Sequence, residues 1–403
     1  VAGAVLSAAS MANAGIIIPA GEWTLDINGN VNVYATIQDH DNEGTVTGGL
    51  MSAYGTGTAG SQDSNQSINT GLLPAWLGFT GTTRQNDLDV SFTISMQPNV
   101  SDNGATGDAK QPLWRQAFLT FGDKSWGSVK MGKDIGIFAA DAILTDMTLL
   151  GVGGGFNNSG VSTTTGGIGT GYMYAAWKGQ IAYTTPNMNG FQATIGITNP
   201  NQVDIDLGGT AARQDGFGIE GVASYTMPMG KVWVSGASYK VTGDGAAGST
   251  VVTAAGSIVT AAVAGVNYDI TVFDIGTTLN FGNATVTAYY YNGEGAGNGV
   301  LGFNGADANG NERDSDGGYL QATYVVPTGT KLGLAYGVTR LDQANASDTA
   351  SLVDEQSRWT VGAYHPLTKH LNLVAEYNSI EEESHNNIKN EADAISLGAI
   401  LFF

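Results

Sequence analysis

The chain has 403 residues, 36 of them acidic and 16 basic, giving a formal net charge of −20, and it contains no cysteine. That excludes disulfides, thiolate metal sites and cysteine nucleophiles, and leaves no basic surface to displace counterions from nucleic acid. Charged residues make up 13%, about half the usual share for a soluble domain.

Residues 1–14, VAGAVLSAASMANA, are small and apolar and end in Ala12-Asn13-Ala14. They read as the remnant of a secretory signal peptide with an A-x-A cleavage site, and so as the mark of an exported protein. An apolar N-terminal strand or helix is the plain alternative. No later stretch holds the 18 or more apolar residues of a transmembrane helix. From residue 22, EWTLDINGNVNVYATIQD alternates: Trp23, Leu25, Ile27, Val31, Val33 and Ile37 against Asp26, Asn28, Asn30, Asn32 and Thr36. The same period-2 pattern recurs at 72–84, with Leu73, Ala75, Leu77 and Phe79 on one face, and at 88–97. Further strands are expected near 112–122, 125–133, 174–185, 191–198, 215–227, 231–241, 268–281, 284–293, 317–327, 330–341, 356–366, 369–380 and 391–403. That makes sixteen.

The gaps between these segments alternate in length from end to end. Long ones (39–71, 99–111, 134–173 and five more) follow odd-numbered strands; short ones such as QN near 85, GDK at 122–124 and PTG at 327–329 follow even-numbered strands. An antiparallel meander with long loops on one rim and tight turns on the other has this pattern. A Greek-key sandwich has no reason to keep it up.

Sixteen one-sided strands would need a very large core in a soluble protein. Closing the sheet with its apolar face toward lipid and its polar face toward water removes both the core and the unpaired edges. The expected fold class is therefore all-β: a 16-stranded antiparallel transmembrane barrel spanning 15–403, with long extracellular loops and short periplasmic turns. Aromatics near strand ends (Trp23, Tyr34, Trp126, Tyr183, Phe191, Trp359, Tyr377 and Phe403) are placed as interfacial girdles are.

Three stretches carry a resemblance. ADAISLGAILFF closes the chain on Phe403; QIAYTTPNMNGFQATIGI (180–197) holds Tyr183, Pro186 and Gly190-Phe191; WRQAFLTFGDKSWGSVKMGKD (114–134) holds Phe121-Gly122, Trp126-Gly127 and Gly132. Together they resemble the general trimeric porins of the Gram-negative outer membrane. The resemblance implies a homotrimer in outer-membrane lipid and lipopolysaccharide, passing small hydrophilic solutes and ions. It also implies that the third long loop folds inward (134–173 here), its acids facing basic residues across a constriction. The matching segment carries Asp134, Asp141 and Asp146 and is unusually apolar; an extracellular flap or a contact with a neighbouring subunit is the alternative.

Register supplies the opposite wall. Arg84 and Lys130 point inward when their apolar neighbours point out, and Arg115 resembles the family's inward basic residue, although Trp114 and Phe118 leave the lipid face of that strand open. By the same rule Lys178, Arg358, Asp26, Asp89, Glu220, Asp274 and Glu376 face the lumen. The five acidic wall positions together with the three loop Asp residues outnumber these bases, so a weak cation preference is expected. A substrate-specific channel and a non-conducting structural or adhesive surface barrel are the alternatives. No cofactor is required, although the loop NGADANGNERDSDGG (304–318) places Asp307, Asn309, Asn311, Asp314 and Asp316 where oxygen ligands could hold Ca²⁺. The four histidines have no metal spacing, and no catalytic motif appears.

Overall fold

Alternating side chains put one face of each strand toward an apolar medium, and a strand of ten or more residues is long enough to cross one. The computed structural model, which describes residues 15–53, 64–98, 100, 113–154, 163–199, 212–214, 216–243, 249–253, 256–260 and 267–403, resolves these segments into barrel strands. Among the described residues they are β1 (Trp23–Asn42), β2 (Trp76–Gln85), β3 (Leu88–Gln97), β4 (Leu113–Asp123), β5 (Gly127–Ile135), β6 (Trp177–Thr184), β7 (Phe191–Thr198) and β8 (Gly218–Met227). They continue as β9 (Gly230–Gly243), β10 (Asn267–Phe281), β11 (Ala284–Glu294), β12 (Asp314–Val325), β13 (Lys331–Leu341), β14 (Val353–Pro366), β15 (Leu371–Ser384) and β16 (Lys389–Phe402). Each pairs antiparallel with the next, and β16 pairs with β1 from Asn30↔Phe402 to Asn42↔Asn390. The result is a closed 16-stranded antiparallel barrel. The stretch read as a signal remnant, 1–14, lies outside the described residues.

Closure is reinforced where the two ends of the sheet meet. The Gly29 N–H donates to the Phe403 carbonyl (2.8 Å) and the Phe403 N–H returns to Gly29 (3.0 Å). Below that point a short strand the alternation did not reveal, Ile16–Ala20, turns at Gly21 and pairs back on Trp23–Ile27. The β2–β3 turn is the two-residue Asn86-Asp87, both at positive φ (47° and 62°), the mirror-image geometry that suits the twist of a hairpin. Between β9 and β10, Ser249–Thr253 and Gly256–Thr260 pair as a hairpin separate from the barrel sheet.

The polarity of the barrel is inverted relative to a soluble one. Val31, Ile37, Ile195, Leu320 and Leu397 are 53–61% exposed, while Asn30, Thr36, Gln38, Thr360, Asn378 and Ser396 are no more than 2% exposed. Water-soluble sheets hide their apolar face; this one shows it. No helix among the described residues is long and apolar enough to cross a membrane.

Two expectations about faces need correction. Leu73 and Ala75 are buried inside rather than turned to lipid, because β2 begins only at Trp76. The amides of Asn30 and Asn32 donate to the Pro74 and Leu73 carbonyls (both 2.9 Å), and the Leu72 N–H donates to Gly151 (3.0 Å), so the segment before the strand is drawn inward. Tyr34, placed among the girdle aromatics, is 1% exposed and faces the interior, its hydroxyl donating to the Leu150 carbonyl at 2.7 Å.

Candidate functional site

The described residues of the connection between β5 and β6, 136–154 and 163–176, do not stand out into solvent. Its sequence is apolar at Ile137, Phe138, Ala142, Ile143, Met147, Leu149 and Val152, and each of these is less than 9% exposed. Phe138, Ala142, Ile143, Leu149 and Val152 pack with Tyr172, Met173 and wall residues Tyr239, Tyr289 and Tyr319 into one core inside the barrel. A helix, Ala140–Thr145, and a 3₁₀ turn, Met147–Leu150, give this segment its described regular structure.

A loop buried this way must find acceptors for its backbone N–H groups, and the wall supplies them. Near its start, Glu220 on β8 accepts from the Ile137 and Phe138 N–H groups (2.5 and 2.9 Å), and also from Lys178 (2.6 Å) and the Tyr239 hydroxyl. Farther on, Glu376 on β15 accepts from Val152 and Gly153 (2.9 and 2.8 Å) and from the Tyr364 hydroxyl (2.7 Å). Between them Gln321 on β12 accepts from Met147 (2.6 Å) and donates to the Thr145 carbonyl (3.1 Å). The loop is thus clamped across the lumen at two carboxylates and an amide.

Leaning on one wall, the loop leaves a channel along the other. A cavity of about 890 Å³ runs beside it, and its charged lining is Asp89, Arg115, Asp123, Lys124, Lys130, Asp134, Asp141 and Lys231. Lys130 pairs with Asp134, which also accepts from Gln116 (3.1 Å); Lys231 reaches from the foot of β9 to pair with Asp141 on the loop helix. That second pair ties loop to wall at the channel surface.

The sequence candidates fall into three groups. Arg115, Lys130, Asp134 and Asp141 line the channel. Asp134 does so from β5 itself, which extends to Ile135, so it is a strand residue and not part of the loop. Arg84 lies beside the Asn86-Asp87 turn, half exposed, held by Asp89 (2.7 Å) and Asp123 (3.0 Å); it belongs to the rim. Asp146 points away from the channel: it caps the 3₁₀ turn through the Thr148 N–H (2.9 Å) and accepts from Gly167 (3.0 Å) and the Tyr172 hydroxyl (2.8 Å), with Arg358 at 3.8 Å. Burial and the Asp146 charge push the Tyr172 phenol well above its ordinary value, so it stays a donor.

Of the wider wall set, Lys178, Glu220, Arg358 and Glu376 do face inward but lie buried against the loop, and Asp274 is buried among wall partners, accepting from the Ser235 N–H (2.9 Å) and the Tyr289 hydroxyl (3.1 Å). Most of the acids expected to set selectivity are therefore outside the open channel. The ambiguity at Trp114 and Phe118 comes from a register irregularity between Ser95 and Gln97: Trp114 is 56% exposed, Phe118 is buried, and Arg115 reaches the lumen. Lys231 was missed, although KVWVSG puts it on the face opposite Val232 and Val234. Glu220 and Glu376 were placed on the right face without their role, since no pattern in the chain announces which carboxylate will meet a loop.

The proposed calcium ligands stand apart. Asp307 accepts from the Asn309 and Asn311 N–H groups (2.8 and 2.9 Å) and from the Asn311 and Asn345 amides (2.7 and 3.0 Å), whereas Asp314 and Asp316 sit on β12. Among the described residues no three carboxylate or imidazole groups come together as metal ligands.

The family described as Gram-negative porin matches residues 1–385. No individual curated protein matches the sequence. Among solved structures, the outer membrane channel DcaP of Acinetobacter baumannii superposes with a TM-score of 0.70 at 15% identity, over 97% of this chain and 100% of that one. OmpF of Salmonella typhi, in a complex with daunomycin, gives 0.59 at 16% over 96% and 100%. OmpT of Vibrio cholerae in a trimer form gives 0.56 at 14% over 94% and 99%. At such identities the likeness is one of fold.

Proposed function

The chain belongs to the Gram-negative porin family, whose members are channels through the outer membrane, and from that premise we propose that it is a general diffusion porin working as a homotrimer. Small hydrophilic solutes and ions cross passively, down their gradients, through the water-filled space between the inward loop and the β3–β9 wall. One observation carries this reading: a lumen narrowed, not filled, by a loop that the wall clamps in place, with a channel of about 890 Å³ beside it. The trimer is supported by the trimer form of OmpT, a fold relative.

Selectivity follows from where charge remains. Lys130–Asp134 and Lys231–Asp141 both line the channel, and each pair is nearly neutral as a unit. The chain as a whole carries 36 acids against 16 bases, and such a field acts at the mouths, where screening over a Debye length of about 10 Å at 0.1 M salt weakens it. The proposal is a weak cation preference that fades as salt rises. Single-channel recording of purified protein in a planar bilayer under a KCl gradient tests it. Current steps in threes with a small reversal potential of cation sign are expected. An anion-sign potential would overturn the selectivity, and a folded barrel without conductance would overturn the channel.

A further inference from the structure

The two sides of the channel differ in kind. The strand side is polar, with Thr120, Gln180, Thr184, Gln192 and Thr194 among its lining. The loop side carries a hydrocarbon strip: Ile137, Ile143, Leu144, Leu149 and Ile168 border the same cavity beside Asp141 and the Thr163–Thr165 run, and Leu72 and Leu73 extend the strip. All of these but Ile137 belong to, or pack against, the internal core that holds the loop. Ile137, Ile143 and Leu149 show only a rim, 6–8% exposed, whereas Leu144 and Ile168 show more.

Charge on the strand side is also uneven. Lys130 and Lys231 are neutralised by Asp134 and Asp141. Arg115 is different: among the described residues its guanidinium has no carboxylate partner, and it lies 5.8 Å from the centroid of the Trp177 ring. Trp177 pairs with Ile135, two residues before Ile137, so the Arg115–Trp177 unit stands at the root of the hydrocarbon side. A guanidinium backed by an indole is oriented but still has its fork of donors free for a carboxylate.

We propose that this channel, on the porin reading above, contains a subsite for small organic anions with an apolar body, the carboxylate meeting Arg115 and the hydrocarbon lying along the loop face. A wholly hydrophilic solute gains nothing from such a face. An amphipathic one sheds part of its hydration there while keeping its charged end solvated and paired. Complete burial of a methylene is worth about fourfold in affinity; lying on one wall of a wet channel, about twofold per methylene is expected.

The test uses the purified full-length protein in a planar bilayer at pH 7.5, with sodium acetate, butyrate and hexanoate added to a KCl bath. The proposal expects saturable reduction of the KCl current, with the half-blocking concentration falling about twofold for each added methylene. Arg115→Gln should raise the hexanoate value about tenfold, and Leu144→Ser should flatten the length series, each variant first checked for heat-modifiable migration as a folded barrel. If the hydrocarbon face is only the rim of the core, acids of every length block alike in the wild type, and the proposal is overturned. That wild-type series decides even where a variant does not fold. A protein that carries no KCl current at all overturns the porin reading instead, a result distinct from length-independent block.

Discussion

Lys231 and Asp141 are the pair in which a single charge has most effect on the channel, because they join wall to loop at its surface and are both partly exposed, 34% and 20%. Partly solvated pairs contribute little to stability, about 1 kcal/mol or less, so their removal should be read in ion preference. Lys231→Met leaves Asp141 unpaired and should move the KCl reversal potential toward cations; Asp141→Asn should move it toward anions by a similar amount. A reversal potential unchanged in both variants would show that the pair does not border the ion path. Asp307 is a second residue whose environment makes a forecast. Burial pushes its carboxyl up, but hydrogen bonds from Asn311, Asn309 and Asn345 outweigh that and hold it at about 2. A depressed carboxyl stabilises above the unfolded value of about 4 and loses that contribution as pH falls through the folded one. Protection of the Asn309 and Asn311 amides, corrected for intrinsic exchange rate, should therefore persist at pH 5 and drop between pH 4 and pH 2. With its oxygens already facing N–H donors, Asp307 should also give no calorimetric heat with Ca²⁺ at pH 7.

At the scale of the element, the inward loop is the part of the fold least visible in the chain. Alternation reports that a strand has two sides and says nothing about what each side touches. Leu73 and Ala75 keep the right parity for lipid yet face the core, and Asp146 looks like a channel acid yet binds its own loop. What fixes the loop is non-periodic: two wall glutamates far apart in sequence, each accepting two successive backbone N–H groups. A buried acceptor lost from such a site strands donors at about 1–3 kcal/mol. Glu376→Gln keeps the shape but turns a donor toward donors. Its expected signature is a lowered unfolding temperature together with noisier, less uniform current steps as the segment at Val152 and Gly153 works loose. Glu220→Gln should behave alike at the other end of the loop, and more severely, because Lys178 would then be left buried without its carboxylate. Quiet currents of wild-type size from both variants would show that apolar packing alone holds the loop.

For the whole molecule, strand number, order and facing were legible because they rest on a period of two sustained over 16 segments and on the alternation of long and short gaps. Strand ends were less so: β9 runs on to Gly243 and β16 starts at Lys389, since pairing continues above the apolar belt where the pattern no longer constrains it. The inversion of polarity that the pattern implied has a consequence that separates this barrel from any soluble one. On a water-soluble sheet, an exposed leucine can be replaced by arginine at little cost. Here Leu397, 59% exposed beside Ala35 on the outer wall, faces hydrocarbon, and an arginine near the middle of the bilayer costs about 2–4 kcal/mol. Ser396, its neighbour on the inner face, shares a hydroxyl hydrogen bond with Thr36 (2.9 Å), and its replacement by alanine leaves that hydroxyl partner behind, about 1 kcal/mol. Urea titration of refolding into phospholipid vesicles should therefore rank Leu397→Arg well below Ser396→Ala, with the leucine variant as stable as wild type only if that face meets water.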